Sequence, residues 1–245
     1  MATDILTLKE VVAGYGKMTI LHGTTCSVAR GAITTVIGPN GAGKSTMFKT
    51  VFGMLPARSG RVLFEGAEIT NLAPRDLLAR GISYVPQGRN IFPELSVRHN
   101  LELGAVMAPA GFDLAGRIEA AMARFPVLRR KVGQQASTLS GGEQKLLEIA
   151  RALLLEPKLM LIDEPSIGLS PIMVNELFGI LSEMRDRGIT VLLIEQNAKR
   201  ALESSDYGIV LELGRTRIAD TAQKILTDPR IGQLFLGGGL QEKVA

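Results

Sequence analysis

Residues 33–45 read Ile-Thr-Thr-Val-Ile-Gly-Pro-Asn-Gly-Ala-Gly-Lys-Ser, and this stretch decides the fold class. Its first five residues are a β-branched, apolar run that predicts a buried strand. Its last eight match the pattern G-x-x-x-x-G-K-[ST], and a helical pattern follows over residues 44–52. A glycine-rich loop between a strand and a helix is the context in which this pattern binds phosphate. The stretch therefore predicts a nucleotide-binding loop in an α/β protein.

Each residue type in this loop suits contact with a nucleotide. Glycines let the backbone wrap closely and aim several N–H groups at phosphate oxygens, and the following helix adds the positive end of its dipole. Lys44 supplies a charge for the β- and γ-phosphates, and Ser45 offers a hydroxyl ligand to Mg²⁺. The predicted nucleotide-binding residues of the loop are Gly38, Pro39, Asn40, Gly41, Ala42, Gly43, Lys44, Ser45 and Thr46.

The rest of the chain alternates short apolar runs with helical patterns, which is typical of an α/β fold. Strands are predicted at 6–12, 33–37, 61–64, 82–85, 159–162, 191–194 and 207–211. The runs 159–162 and 191–194 are apolar throughout, as expected of strands covered on both faces. Apolar residues at 174, 177, 178 and 181 between them predict a helix, so this part is expected to form a βαβ crossover. Residues 89–138 show no strand pattern, but Ile118, Ala121, Met122 and Phe125 predict one apolar helical face.

Two carboxylates end the apolar run 159–162. Asp163 is placed at the end of this strand to hold Mg²⁺, and Glu164 is suited to polarise the water that attacks the γ-phosphate. A strand that ends in a polar turn is common, so the two carboxylates alone do not indicate a catalytic site. They indicate one here because the chain also contains the phosphate loop.

A second anion site is predicted where Ser140, Gly141, Gly142, Glu143 and Gln144 precede an apolar helical run. The spacing of Ser140 and Glu143 predicts a capping box, and a helix that opens with glycines is ready to receive a phosphate. The loop at 38–45 already holds this chain's own nucleotide. We therefore expect the second site to serve the ATP of a different subunit.

The composition excludes several classes of protein. The 245 residues carry 28 Lys and Arg against 24 Asp and Glu, and this small excess without a basic run does not indicate nucleic-acid binding. Cys26 is the only cysteine, so disulfide scaffolds and cysteine-based zinc sites are excluded. A single cysteine is consistent with a protein that works in a reducing compartment. No apolar stretch approaches the roughly 20 residues that cross a bilayer, and the first residues lack a signal-peptide pattern.

These motifs, in this order, resemble the ATP-binding-cassette (ABC) ATPases over nearly the whole chain. The resemblance implies a P-loop NTPase core of ABC type with an N-terminal antiparallel β subdomain and an inserted helical subdomain. With the catalytic core at about 1–88 and 139–236, this agrees with the residue pattern, which predicts an inserted helical subdomain at 89–138 and a frayed tail at 237–245. The resemblance implies that Tyr15 stacks on adenine. It also implies that Gln87 senses Mg²⁺ and hinges the helical subdomain, which docks on membrane subunits.

Two positions depart from the family pattern. The family usually has a histidine that touches the γ-phosphate where this chain has Gln196, which can donate a hydrogen bond but does not titrate near neutrality. Ser170 stands where the family commonly has aspartate in a loop that crosses the dimer interface. Both changes put full, symmetric hydrolysis in question, and the catalytic residues predicted here are Glu164 and Gln196.

Several local segments resemble one branch of the family, the second ATPase subunit of branched-chain amino-acid importers, with relatives that serve urea or short amides. These segments are 88–93, 168–171, 195–197 and 235–238. The resemblance implies a second ATPase subunit, identical or different, two transmembrane permeases and, indirectly, a solute-binding protein. It implies ATP and Mg²⁺ as cofactors and a peripheral position on the cytoplasmic face of the plasma (inner) membrane.

Four other classes of ABC protein are alternatives to an importer subunit. ABC ATPases of DNA repair or chromosome structure carry long coiled-coil or zinc insertions, and residues 45–140 hold neither. Translation-associated ABC proteins have two tandem cassettes, whereas this chain has one. A regulatory cassette that binds ATP without turnover is opposed by Glu164 but stays open because of Gln196 and Ser170. An exporter cassette also stays open.

Overall fold

A computed structural model describes residues 3–229 of the chain. Its strands are β1 (Asp4–Tyr15), β2 (Met18–Ala29), β3 (Ile33–Ile37), β4 (Ala57–Phe64), β5 (Ala67–Glu68), β6 (Ile82–Val85), β7 (Leu159–Asp163), β8 (Thr190–Ile194), β9 (Tyr207–Glu212) and β10 (Arg215–Thr221). Its α-helices are α1 (Lys44–Val51), α2 (Pro74–Ala79), α3 (Val97–Leu103), α4 (Leu114–Arg124), α5 (Pro126–Arg130), α6 (Gly141–Leu153), α7 (Pro171–Asp186), α8 (Ala198–Glu203) and α9 (Ala222–Thr227).

A six-stranded sheet in the order β10-β9-β3-β8-β7-β6 forms the centre of the molecule. Strands β9, β3, β8, β7 and β6 pair in parallel, and β10 pairs antiparallel with β9 at the edge. Every residue of β3, β7 and β8 is buried, because α-helices or the second sheet cover both faces. The predicted βαβ crossover is present as β7, α7 and β8.

A four-stranded antiparallel sheet in the order β2-β1-β4-β5 covers one face of the central sheet. Alternate residues of the buried strands point to opposite sides. Leu159 and Leu161 of β7 join the core with the antiparallel sheet and α1, whereas Met160 and Ile162 join the core with α6 and α7. The fold is therefore the α/β cassette with an N-terminal antiparallel sheet that the sequence predicts.

The segment 89–138 consists of α3, α4, α5 and a 3-10 turn at Ala136–Thr138, and it contributes no strand to either sheet. Its apolar face is the predicted one, with Ile118, Met122 and Phe125 buried and Ala121 packed beside them. These side chains share one apolar core with α6 and α7. The exact limits of a helical subdomain stay a prediction.

The sequence reading missed three strands and shortened others. It overlooked β2, β5 and β10, and it predicted only residues 6–12 of β1 and 61–64 of β4. In β10 the residues are largely polar because the strand lies at an edge, so no apolar run reveals it. The predicted tail at 237–245 and the segment 235–238 lie outside the described residues.

Among residues 3–229 no helix is long and apolar enough to span a bilayer. Cys26 is buried in β2, and its burial raises the pKa of the thiol to about 12.

Candidate functional site

Four parallel strands end at one edge of the central sheet, and each leads into a predicted site segment. The phosphate loop follows β3, Gln87 follows β6, Glu164 follows β7 and Gln196 follows β8. Since the strands are parallel neighbours, their carboxyl ends bring these segments together, which is where open α/β sheets bind ligands.

The phosphate loop depends on glycine at two positions. A Cβ on Gly38 would lie 2.1 Å from the carbonyl oxygen of Leu211, so a side chain does not fit there. Gly43 precedes α1 with φ 101°, a left-handed conformation that glycine adopts easily. No side chain caps α1. Its first N–H groups, which have no partner within the helix, are therefore left for a ligand.

Lys44 is largely buried, and its ammonium group lies over the loop. Nζ donates hydrogen bonds to the carbonyl oxygens of Gly38 (2.8 Å) and Pro39 (3.1 Å). Burial lowers the pKa of Lys44, while the nearby charges of Glu164 and Asp163 act in the opposite direction. The charge is thus held beside the position where phosphates would lie.

Asp163 has the environment expected of a Mg²⁺ ligand. It is buried, and its Oδ1 has no hydrogen-bond partner, whereas the hydroxyl of Tyr84 donates to Oδ2 at 3.4 Å. Burial raises its pKa, and the neighbouring hydroxyls of Ser45 and Tyr84, with the charges of Lys49 and Lys44, partly offset that rise. An unpaired buried carboxylate oxygen beside the Ser45 hydroxyl is the kind of hard oxygen set that Mg²⁺ accepts.

Glu164 projects from the end of β7 with φ 47°, while its backbone N–H donates to the carbonyl oxygen of Ile194 at 2.9 Å. Burial and the charge of Asp163 raise its pKa, which Lys44 partly opposes. A raised pKa makes this carboxylate a better proton acceptor. Nε2 of Gln87 donates to Oε2 of Glu164 at 2.8 Å, so the amide that was predicted to sense Mg²⁺ contacts the predicted base.

Nine of the predicted site residues line one open cleft of about 470 Å³, whereas Gly38, Pro39, Ala42 and Asp163 are not part of its lining. It contains Asn40, Gly41, Gly43, Lys44, Ser45, Thr46, Gln87, Glu164 and Gln196, together with Ile20 and Ile167. Tyr15 is not among the lining residues. It lies at the end of β1, 46% exposed, with Nζ of Lys49 5.9 Å from its ring centroid.

The predicted second anion site lies at the start of α6, and none of residues 140–144 lines that cleft. Ser140 and Glu143 form the predicted capping box: the backbone N–H of Glu143 donates to Oγ of Ser140 at 3.3 Å and that of Ser140 donates to Oε2 of Glu143 at 2.8 Å. Ser140 and Gly141 are exposed, whereas Gln144 is buried and donates through Nε2 to the carbonyl oxygen of Leu139 at 3.0 Å. The side chain of Gln144 therefore serves the fold at this helix start.

The loop that carries Gln87 is tied to α6 through buried charges that the sequence reading missed. Nζ of Lys145 donates to Oε2 of Glu148 (2.5 Å) and to the carbonyl oxygen of Gly88 (3.0 Å), while the backbone N–H of Asn90 donates to Oε1 of Glu148 (2.5 Å). A glutamate three residues after a lysine within an apolar helical run was the available signal. Glu195, the residue after β8, was also missed.

A strand, a phosphate loop and two carboxylates at the carboxyl edge of a parallel sheet define a P-loop nucleotide-binding protein. Residues 21–167 match the family described as ABC transporter, and the chain belongs to this family. It is an ATP-binding and ATP-hydrolysing subunit of a transporter.

Similar proteins cover the chain almost end to end. The high-affinity branched-chain amino acid transport ATP-binding protein BraG of Pseudomonas aeruginosa is 41% identical, over 96% of this chain and 100% of the relative. The probable branched-chain amino acid transport ATP-binding protein LivF of Archaeoglobus fulgidus is 39% identical, over 92% and 95%. The lipopolysaccharide export system ATP-binding protein LptB of Escherichia coli is 34% identical, over 97% and 98%. A solved ATP-binding cassette of an ABC transporter aligns with a TM-score of 0.87 and 31% identity, over 96% of this chain and all of that one.

Proposed function

We propose that this chain powers an importer of branched-chain amino acids by hydrolysing ATP at the cleft of the phosphate loop. The similarity to BraG, 41% over nearly both full lengths, carries the choice of solute. The segments at 88–93, 168–171 and 195–197, which resemble the same branch, support it.

In this proposal the predicted site residues divide nucleotide binding, metal binding and catalysis among them. Residues Gly38–Thr46 hold the phosphates of ATP, and Ser45 and Asp163 hold Mg²⁺, which would neutralise charge on the β- and γ-phosphates when bound. Glu164 accepts the proton of the attacking water, Gln87 orients Glu164 and would help to hold Mg²⁺, and Gln196 donates a hydrogen bond to the γ-phosphate. Tyr15 stacks on adenine from the end of β1.

The exposed start of α6 supports a composite site. Ser140 and Gly141 are exposed and lie away from the lining of this chain's own cleft, so a phosphate can reach them from outside the chain. We propose that they contact the ATP of a second cassette, of the same or a different sequence, and that the loop at 166–170 crosses the same interface.

An apolar groove supports the docking of a permease. It has a volume of about 290 Å³, and its rim includes Phe92, Leu103, Val106 and Met107. Val106 is 75% exposed and Phe92 is 50% exposed, and apolar side chains this exposed in one patch favour an interaction site. We propose that a helix of one of two transmembrane permeases binds here, with the chain at the cytoplasmic face of the membrane and a solute-binding protein as an indirect partner.

Uptake measurements test the choice of solute. The chain is expressed in cells that lack their own uptake of branched-chain amino acids. It is expressed together with the permeases, the second cassette and the binding protein that are expected from neighbouring reading frames. Labelled leucine, urea and a short amide are offered, and Glu164→Gln is the matched control. Leucine uptake that depends on Glu164 supports the proposal, whereas uptake of urea or the amide alone would assign the chain to the related importers.

A second candidate is lipopolysaccharide export, which the 34% identity to LptB favours. The discriminating experiment is complementation of an LptB-depleted strain. Growth restored by this chain but not by its Glu164→Gln variant, without any solute uptake, would favour the exporter.

A further inference from the structure

We propose that Glu195 is a positioning residue for ATP cleavage, whose buried carboxylate holds the loop after Glu164 against the end of β8. The role rests on the proposed function, in which Glu164 activates water and Gln196 meets the γ-phosphate. Nothing in the sequence reading assigned Glu195 a role.

The geometry joins two distant segments through one carboxylate, the loop at Ser166 and the residues that follow β8. Glu195 is 2% exposed. Its Oε1 accepts a hydrogen bond from the backbone N–H of Ser166 at 3.0 Å. Its Oε2 accepts from the Ser166 hydroxyl at 2.6 Å and from the backbone N–H of Gln196 at 3.2 Å. The end of β8, the loop two residues beyond Glu164 and the backbone of Gln196 are therefore fixed to one another.

The contacts suit a carboxylate ion. Two of the three donors are backbone N–H groups that can only donate, and hydrogen bonds of this kind to a charged acceptor are about twice as strong as neutral ones. Burial, and to a lesser extent the nearby charge of Glu164, raise the pKa of Glu195, and the hydrogen bonds from Ser166 and Gln196 only partly offset that rise. A buried charge is costly unless it is fully hydrogen-bonded, and a neutral polar residue would bind the loop at a lower cost. The charge is better explained by a need for a stiff connection than by stability alone.

The connection matters because it sits between two residues of the cleft. Ile167 follows Ser166 and Gln196 follows Glu195, and both line the cleft together with Glu164. Without the carboxylate, the loop at 166–170 and the amide of Gln196 can shift separately. A misplacement of about 1 Å can lower turnover by about a hundredfold.

Hydrogen exchange of the full-length chain tests the connection without relying on activity. In Glu195→Gln, the amide offers one acceptor oxygen and turns an N–H₂ toward donors, so peptides covering 165–170 and 195–198 should exchange about tenfold faster. Glu203→Gln is the matched control, since Glu203 is exposed on α8 and its ion pair with Lys199 spans 3.9 Å. The control should exchange like the parent, and so should the phosphate loop in both variants.

Kinetics separate positioning from a structural role. Glu195→Gln should lower kcat for ATP by about ten- to a hundredfold, while the KM and the nucleotide affinity of the isolated chain stay near the parental values. Ser166→Ala should change exchange and kcat in the same direction by less, because the Ser166 N–H still donates. The Ser166→Ala variant serves as the test if Glu195→Gln does not fold.

Parental exchange and parental kcat in Glu195→Gln, or in Ser166→Ala where only that variant folds, would overturn the proposal. So would a loss of nucleotide affinity and thermal stability that matches the loss of kcat. Glu164→Gln is measured alongside. If it hydrolyses ATP at the parental rate, the proposed function is at fault; if it is inactive while Glu195→Gln is parental, only the positioning role is.

Discussion

Glycines stand at the starts of two helices of this chain, Gly43 just before α1 and Gly141 and Gly142 as the first residues of α6, and the first turns of these helices differ. α1 has no side-chain cap and opens into the cleft beside Lys44. α6 has a complete capping box, and its N-cap Ser140 and first residue Gly141 are exposed outside the cleft, whereas Gly142 is buried. Both leave N–H groups without helical partners, as every helix start does.

The difference shows how one chain can hold two halves of two sites. The start of α1 leaves its N–H groups for phosphate and adds Lys44. The phosphate loop at 38–45 and this helix start therefore form a complete phosphate site, called the cradle below. The start of α6 satisfies Ser140 and Glu143 internally and keeps only its outer surface for a ligand. Changes in the first region should act on ATP bound by the same chain, whereas changes in the second should act on ATP bound by a partner. The predictions below test this division.

The largest effect is expected from Glu164→Gln, beside the cradle. The amide cannot accept the proton of water, so turnover should fall by about 10²- to 10⁴-fold, while ATP still binds because Lys44 and the loop are unchanged. Steady-state hydrolysis and equilibrium binding of a fluorescent ATP analogue measure the two properties. Parental turnover would show that another group is the base.

Lys44→Ala should weaken the cradle itself. Loss of a charged hydrogen-bond donor to the phosphates should lower ATP affinity of the isolated chain by about a hundredfold. Calorimetric titration with ATP measures it, and Lys224→Ala is the control, since Lys224 is exposed on α9 and pairs with Asp220 outside the cleft. An unchanged affinity would mean that the loop does not hold phosphate through Lys44.

Gly141→Ala separates the two helix starts. A Cβ on Gly141 meets nothing within 4 Å in the chain, so the variant should fold and bind ATP like the parent. If a partner's phosphate approaches this point, the methyl group should cost about tenfold in turnover, comparable to one charged hydrogen bond. The parent's turnover per chain should also rise with concentration. A flat dilution series from a monomer, with parental turnover in Gly141→Ala, would refute the composite site.

Gln196→Ala should have a smaller effect, because it removes one neutral hydrogen bond worth about 0.5–1.5 kcal/mol. Turnover in the assembled transporter should fall by about three- to tenfold, less than in Glu164→Gln. Gln196→His should raise turnover or add a pH dependence near the usual histidine pKa of about 6.5. Complete inactivity of Gln196→Ala would show that the amide is essential.

The smallest effect concerns the stability that the cap gives to α6. Burial opposes ionisation of Glu143, but the contacts with Lys131 and Ser140 outweigh burial and lower its pKa. A lowered folded-state pKa adds stability that is present above the unfolded value of about 4.3 and is lost as pH falls through the folded value.

Glu143→Gln should therefore destabilise the chain by about 1 kcal/mol at neutral pH, and the difference should vanish in acid. Urea unfolding of the parent and the variant, at neutral and at acidic pH, measures the difference in their free energies of unfolding. A difference that persists unchanged in acid would contradict the role of the charge.

The sequence predicted best the parts whose environment is uniform. β3, β7 and β8 are buried on both faces, so continuous apolar runs mark them. β2 pairs only with β1 within its sheet and alternates buried with exposed positions, including His22 and Thr25, so its pattern is weak. The cradle and carboxylates were identified because their chemistry demands particular residues at fixed spacing.

Contacts between distant segments could not be predicted in the same way. Glu195 lies 29 residues from Ser166, and Gln87 lies 77 residues from Glu164. Such pairs depend on strand order, which brings the carboxyl ends of β6, β7 and β8 together. The adenine role of Tyr15 rests on resemblance, since the structure places its ring at the end of β1 and outside the cleft lining.

The backbone of Glu164 has a consequence for how this chain can change. Its φ of 47° is a left-handed conformation that costs an ordinary residue about 1–2 kcal/mol, and the hydrogen bond to Ile194 in the sheet holds it there. Glycine or asparagine would adopt the same angle with less strain. On stability alone this backbone position therefore favours a residue without the carboxylate, so the fold holds Glu164 here at a cost to its own stability.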